Sequence, residues 1–219
     1  MPATTYNCLN PQERAEGLVA AAEVLRNGEN VVLPTDTVYG IGADAFNPAA
    51  VDKLLATKRR GPDMPVPVLV GSWTTIQGLV REFSDTAATL VEAFWPGGLS
   101  IVVPEAPSLP WNLGDTRGTV LLRMPNQPLA IELLRDVGPM AVSSANISGH
   151  APAVTIDEAR QQFGAAVPVY LDGGEAEVGQ PSTIIDISHG RPVILRAGAV
   201  PAQRIAEVLG VDEESLRRN

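Results

Sequence analysis

The chain is poor in the residue types that most often advertise chemistry. One cysteine, Cys8, and two histidines, His150 and His189, stand in 219 residues. A lone thiol forms no internal disulfide, which suits a reducing compartment. Too few Cys and His exist for a zinc constellation, so no protein-held metal is expected. Aromatic residues make up only 5%, whereas single-stranded nucleic-acid binders stack bases on rings. Lys and Arg number 16 against 25 Asp and Glu, a formal charge of -9. Cations that displace counterions drive phosphate-backbone binding, which argues against a general coat on DNA or RNA. Any polyanion must meet a local basic cluster. No apolar run is long enough to cross a bilayer, and residues 1–10 lack the basic and apolar segments of a secretory signal. No membrane partner is expected, and a cytoplasmic location is the default. Neither a Gly-x-x-x-x-Gly-Lys-Ser/Thr phosphate loop nor a Gly-x-Ser-x-Gly nucleophile elbow is present.

What is present is a foldable core. Hydrophobic residues make up 45% of the chain, enough to bury a sizeable interior. Leu18, Val19, Ala22 and Leu25 recur at helical spacing within 11–27, and Gly28 ends that helix. Asn47-Pro48 opens a second helix with Val51, Leu54 and Leu55 on one side. Its last turn reads Thr57-Lys58-Arg59-Arg60, stopped by Gly61-Pro62. Further helices are expected over 84–94, 127–137, 156–163 and 201–209. Strands are expected over 30–33, 65–70, 99–103, 119–123, 140–143 and 168–171. Strands 183–187 and 192–196 read as a hairpin through His189-Gly190. Residues 104–118 and 172–180 read as irregular loops, the segment around Cys8 as a loose terminus, and the C-terminal tail as frayed. Interleaved strands and helices with at least one antiparallel pair predict one α/β domain over 1–219 with a mixed parallel/antiparallel sheet.

Four segments carry the chemical information. Leu33-Pro34-Thr35-Asp36-Thr37-Val38-Tyr39-Gly40-Ile41-Gly42 runs from an apolar strand into a hydroxyl-rich turn with two glycines. Its glycines match a dinucleotide-binding turn only loosely. The acidic residue such a site needs about 20 positions on is replaced by Lys58-Arg59-Arg60. A tight turn needing glycine torsion angles explains them equally. The three cations either complement a helix C-terminus or bind phosphate through charge-assisted hydrogen bonds. Ser143-Ser144-Ala145-Asn146-Ile147-Ser148-Gly149 is either a polar turn or a loop offering hydroxyls, an amide and backbone N–H groups to phosphate or ribose. Arg123 and Arg196 each end an apolar strand. With Ser182-Thr183 they are candidates for one rim where guanidinium forks meet carboxylate or phosphate.

In order along the chain these segments resemble the YrdC/Sua5 family of threonylcarbamoyl-AMP synthases. The resemblance covers roughly 17–208 and also rests on Trp95-Pro96-Gly97, Leu122-Arg123-Met124-Pro125, Ser182-Thr183-Ile184-Ile185-Asp186 and Ile194-Leu195-Arg196-Ala197-Gly198. It implies a twisted sheet around a positive cavity, in the compact form without an extra C-terminal domain. It implies that L-threonine, bicarbonate (or CO2) and ATP with Mg2+ give threonylcarbamoyl-AMP and pyrophosphate. A transferase complex would then modify adenosine in tRNA, with room for a weak tRNA contact by this chain. By motif, Thr35, Arg123, Ser143 and Ser182 are expected around threonine. Lys58, Arg60, Thr119, Ser144, Asn146 and Arg196 are expected around ATP, with Lys58 and Arg60 catalytic and Tyr39 shaping the cavity. Many relatives carry proline directly after the Lys-x-Arg arginine, whereas Gly61 intervenes here. That leaves Arg59 or Arg60 to face the phosphates, with Arg60 favoured. A non-catalytic RNA-binding module using the same cavity is the alternative.

Overall fold

In the computed structural model, which describes residues 2–61 and 63–217, ten strands form one mixed sheet. The strands are β1 (Thr4–Asn7), β2 (Val31–Leu33), β3 (Gly40–Asp44), β4 (Val68–Leu69), β5 (Leu99–Pro104), β6 (Thr119–Arg123), β7 (Met140–Ser144), β8 (Val169–Asp172), β9 (Thr183–Asp186) and β10 (Val193–Arg196). Their spatial order is β1-β8-β2-β3-β7-β4-β6-β5-β9-β10. Pairs β1–β8, β2–β8, β4–β6 and β5–β9 are parallel. Pairs β2–β3, β3–β7, β4–β7, β5–β6 and β9–β10 are antiparallel. Six helices connect them: α1 (Pro11–Arg26), α2 (Pro48–Lys58), α3 (Asp85–Phe94), α4 (Pro128–Val137), α5 (Ile156–Phe163) and α6 (Ala202–Leu209). Their starts follow local chemistry. The Asn10 side chain accepts from the N–H groups of Gln12 and Glu13 ahead of α1, and Asn47 accepts from Ala50 ahead of α2. Thr155 and Glu158 form a reciprocal capping box on α5.

Strand alternation sends successive side chains to opposite faces. Val31 and Leu33 join one core with Leu25 of α1 and Leu133 of α4, while Val32 joins another with Leu54, Leu90 and Ile205. The α1/α4 face does not stay covered along the whole sheet. Arg123 lies level with Leu69, and Leu69 with Met140 of the α4-side core. Beyond that point the same face of β6, β5 and β9 carries Leu121, Val102, Ile184 and Asp186, which line an open cleft. The cleft is therefore the stretch of sheet on which no helix has been laid.

Several expectations need correction. Gly40 to Gly42 do not form a turn; they belong to β3, and neither glycine has a positive φ. A Cβ on Gly40 would lie 2.7 Å from Val142 Cγ1, and one on Gly42 would lie 2.6 Å from Met140 Cε. The glycines let the large side chains of β7 lie across β3, a matter of space rather than torsion. The segment before Cys8 is not loose. It forms β1, the Cys8 N–H donates to the Asp172 carbonyl at 2.8 Å, and Cys8 itself is buried. The strand expected over 65–70 shrinks to Val68–Leu69, because Pro65 and Pro67 have no N–H to give a ladder. The C-terminal tail is tied down: Glu213–Leu216 forms a 3-10 turn that buries Leu216. Residues 218 and 219 of that tail, and Pro62 of the expected helix stop, lie outside the described residues. The β9–β10 hairpin forms as expected, with a bulge between Ile194 and Arg196.

Candidate active site

α2 ends at Lys58, two residues earlier than its basic run implies. Arg59 takes a left-handed conformation (φ 53), and the N–H groups of Arg59 and Arg60 return to the carbonyls of Ala56 and Leu55. This is a Schellman closure with arginine where glycine is usual. It leaves Arg59 exposed and turns Arg60 onto the cleft wall. Arg60 Nη1 donates to Ser143 Oγ at 3.0 Å and Nη2 to the Pro65 carbonyl at 2.9 Å. Its Nε is buried with no partner, so one N–H remains unpaired beside the cleft. Burial and the nearby Arg196 both work against the Arg60 charge, while Asp63 supports it.

Lys58 sits behind the wall. It is 2% exposed, and its Nζ donates to the Ser144 carbonyl and to the Asn146 carbonyl at 2.7 Å. The Asn146 side chain also holds its own loop, donating to the carbonyls of Ile147 and His150 and accepting from Ser144 Oγ. The sequence-expected pair Lys58 and Asn146 thus shapes the Ser144 loop and does not line the cleft. Burial, with Arg60 beside it, pushes the Lys58 ammonium down to about 7.

Two further arginines meet Arg60 from distant strands. Arg123 Nη2 pairs with Asp36 Oδ1 at 2.5 Å, both side chains being 7% exposed. Its Nη1 donates to Thr37 Oγ1 at 2.9 Å and its Nε to the Gly97 carbonyl at 2.8 Å. Asp36 also accepts the Asn126 N–H at 3.0 Å. Arg196 donates to the Ser182 carbonyl at 2.8 Å and to Ser182 Oγ at 3.1 Å, and Ser182 Oγ lies 2.8 Å from Ser100 Oγ. Thr35 Oγ1 donates to the Val38 carbonyl at 2.6 Å, and Thr119 Oγ1 to the Thr116 carbonyl at 2.8 Å.

Together these elements enclose a cleft of about 690 Å³. Of the ten residues expected from the motifs, Thr35, Arg60, Thr119, Arg123, Ser143, Ser144, Ser182 and Arg196 line it. Tyr39 lines it too, with its hydroxyl donating to the Gly174 carbonyl and accepting the Gly173 N–H, and burial pushes that phenol up. Sequence reasoning missed Asp36 as the partner of Arg123. Its signal was an acid between two threonines in an otherwise apolar stretch. It also missed Asp186, Arg117 and His189 on the wall; His189 sits on the β9–β10 turn, as the hairpin reading expects. Among the described residues, no cluster of three or more His, Cys, Asp or Glu could hold a metal ion, and no helix is long and apolar enough to cross a membrane. The cleft offers cations and hydroxyls. Guanidinium groups and hydroxyls in that arrangement suit an anionic ligand.

Comparisons with known proteins point to one family. The Sua5_yciO_yrdC family model, described as telomere recombination, matches residues 23–198. A Mycobacterium tuberculosis protein with a provisional threonylcarbamoyl-AMP synthase name is 59% identical over 212 residues, covering 97% of this chain and 98% of its own. The threonylcarbamoyl-AMP synthase of Pyrococcus abyssi is 35% identical over 205 residues, covering 92% of this chain and 60% of its own. The crystal structure of P. abyssi Sua5 complexed with L-threonine superposes with a TM-score of 0.86 at 34% identity, over 90% of this chain and 58% of that one. The chain thus spans about three-fifths of the archaeal protein's length.

Proposed function

This chain belongs to the Sua5/YciO/YrdC family, and from that premise we propose that it is an L-threonylcarbamoyladenylate synthase. The reaction joins L-threonine, CO2 (from bicarbonate) and ATP. The threonine amine attacks CO2 and loses a proton to give a carbamate. A carbamate oxygen then attacks the α-phosphorus, and the bond to the β-phosphate oxygen breaks with release of pyrophosphate. Both nucleophiles come from substrates, so the chain's part is to bind, orient and offset charge. Magnesium arrives as part of the nucleotide substrate and offsets phosphate charge.

One observation carries the reading. Arg60, Arg123 and Arg196, from three separate segments, meet hydroxyls of Thr35, Ser143 and Ser182 in a single cleft. Arg60 and Arg196 present charge without a bonded carboxylate, as suits a triphosphate. Arg123 has its charge balanced by Asp36, and its remaining N–H groups suit the carboxylate of threonine. Lys58 acts from behind the wall. Its protonation adds positive charge under the Ser144 loop, and phosphates in the cleft favour the ammonium over the neutral amine. The adenylate product would pass in the cytoplasm to a transferase complex that modifies tRNA.

Pyrophosphate release is the test. It should require both threonine and bicarbonate with no RNA present. Release that ignores threonine, or that appears only with tRNA, would defeat the synthase reading.

A further inference from the structure

The cleft changes character along its length, from cations and serines to an apolar floor edged by Thr119, Arg117, His189 and Asp186. Arg60, Arg123, Arg196 and the serines occupy one end. The other is made by the outer parts of β5, β6, β9 and β10, where Val102, Leu121, Ile184 and Leu195 form the apolar floor. Val102 is level with Leu121 on one side and with Asp186 on the other. Ser182, Ile184 and Asp186 follow one another along one face, and four residues of extended chain separate the first from the last by about 13 Å. That matches the reach of a nucleoside from its 5′-phosphate to the far edge of its base. Among the described lining residues, Asp186 is the only carboxylate.

The two oxygens of Asp186 differ. Oδ1 accepts the N–H of Ser188 at 2.8 Å and its hydroxyl at 2.6 Å, which fixes the side chain. Oδ2 lies 3.8 Å from His189 Nδ1, beyond hydrogen-bond range, while that nitrogen is engaged with Ser188 Oγ at 2.6 Å. One acceptor-only oxygen therefore remains above an apolar floor. Such a site takes a flat ring with an N–H donor at its edge and disfavours one with a carbonyl there. Adenine presents an amine at its six position, where guanine and hypoxanthine carry an oxygen. Guanine engages a carboxylate best through both oxygens at once, and Oδ1 is already committed.

We infer that Asp186 selects the base of the nucleotide: its free oxygen accepts the six-amino N–H of adenine at the apolar end while the triphosphate lies at the arginine end. The inference rests on the synthase reading and goes beyond it, from a nucleotide site to the atom that chooses which nucleotide.

The experiment is nucleotide binding by calorimetry without threonine, using ATP, inosine triphosphate and purine riboside triphosphate, which lacks a six substituent. The wild type should bind ATP about tenfold or more tighter than either analogue, the worth of one hydrogen bond to a charged group. D186A should bind all three alike. D186N keeps an acceptor for Ser188 and turns its amide N–H toward the base, so it should favour the inosine nucleotide over ATP. That reversal separates base reading from a structural role. An ATP preference unchanged in both variants, or a loss confined to magnesium dependence, would overturn the inference while leaving the synthase reading intact. Guanosine triphosphate binding tighter than ATP would overturn it as well. No ATP binding by the wild type would overturn both.

Discussion

Removing the carboxylate of Asp36 should destabilise the fold strongly. Asp36→Ala takes away the partner of a buried guanidinium and the acceptor of the Asn126 N–H. Breaking a buried ion pair from one side costs about 3–5 kcal/mol, because the remaining charge is left uncompensated in a poorly solvated place. Arg123 is 6% exposed and cannot swing to water. Its other bonds, to Thr37 and Gly97, are to neutral acceptors and do not cancel the charge. Against a typical stability of about 5–15 kcal/mol, the loss is a large fraction. Urea unfolding would measure it as a drop in midpoint at constant m-value. The double variant D36A/R123L removes both charges and should be more stable than D36A alone, since no lone cation remains. If D36A loses less than about 1 kcal/mol, or the double variant is the less stable of the two, the pair behaves as a surface contact and the argument for a charge-balanced Arg123 fails.

Three other outcomes follow from particular contacts. Lys58 has its folded value lowered to about 7 from 10.5. Between those values the unfolded chain binds the extra proton, so stability should rise with pH through this window, by about 2 kcal/mol from pH 7 to pH 9. Lys58→Met should abolish that difference in urea midpoints, and an equal rise in the variant would refute the burial argument. Arg60→Ala should cut pyrophosphate release at least tenfold, equivalent to losing about 1.4 kcal/mol of transition-state stabilisation; a wild-type rate would return this residue to mere helix closure. Gly40→Ala should lower the melting temperature more than Gly42→Ala. The new methyl on Gly40 would lie 2.7 Å from the stiff Val142, whereas on Gly42 it would lie 2.6 Å from the flexible end of Met140 and 3.0 Å from Val142. The reverse order would mean that β7 moves as a unit.

The sequence reports local chemistry well and distant chemistry poorly. Helix starts at Pro11 and Pro48, the β9–β10 hairpin and the mixed sheet were legible because caps, proline and alternation act within a few residues. Eight cleft residues were legible through their motifs. Gly40 and Gly42 were misread because a glycine needed for space looks the same in sequence as one needed for torsion; the difference lies in Val142 and Met140, a hundred residues away. β1 was missed because four residues pair with β8 from the far end of the chain. The bonds from Lys58 to the Ser144 and Asn146 carbonyls were not legible, because they join residues 86 and 88 positions apart. Asp36 and Asp186 escaped notice because an acid's role depends on which base or ligand the fold brings to it.

The central claim is that one cleft joins an amino acid, a one-carbon acid and a nucleotide. Mass spectrometry of the product formed from L-threonine, isotopically labelled bicarbonate and ATP tests it most directly. The account predicts an adenylate whose mass includes threonine and the labelled carbon. An adenylate without that carbon, or AMP or ADP alone, would contradict it.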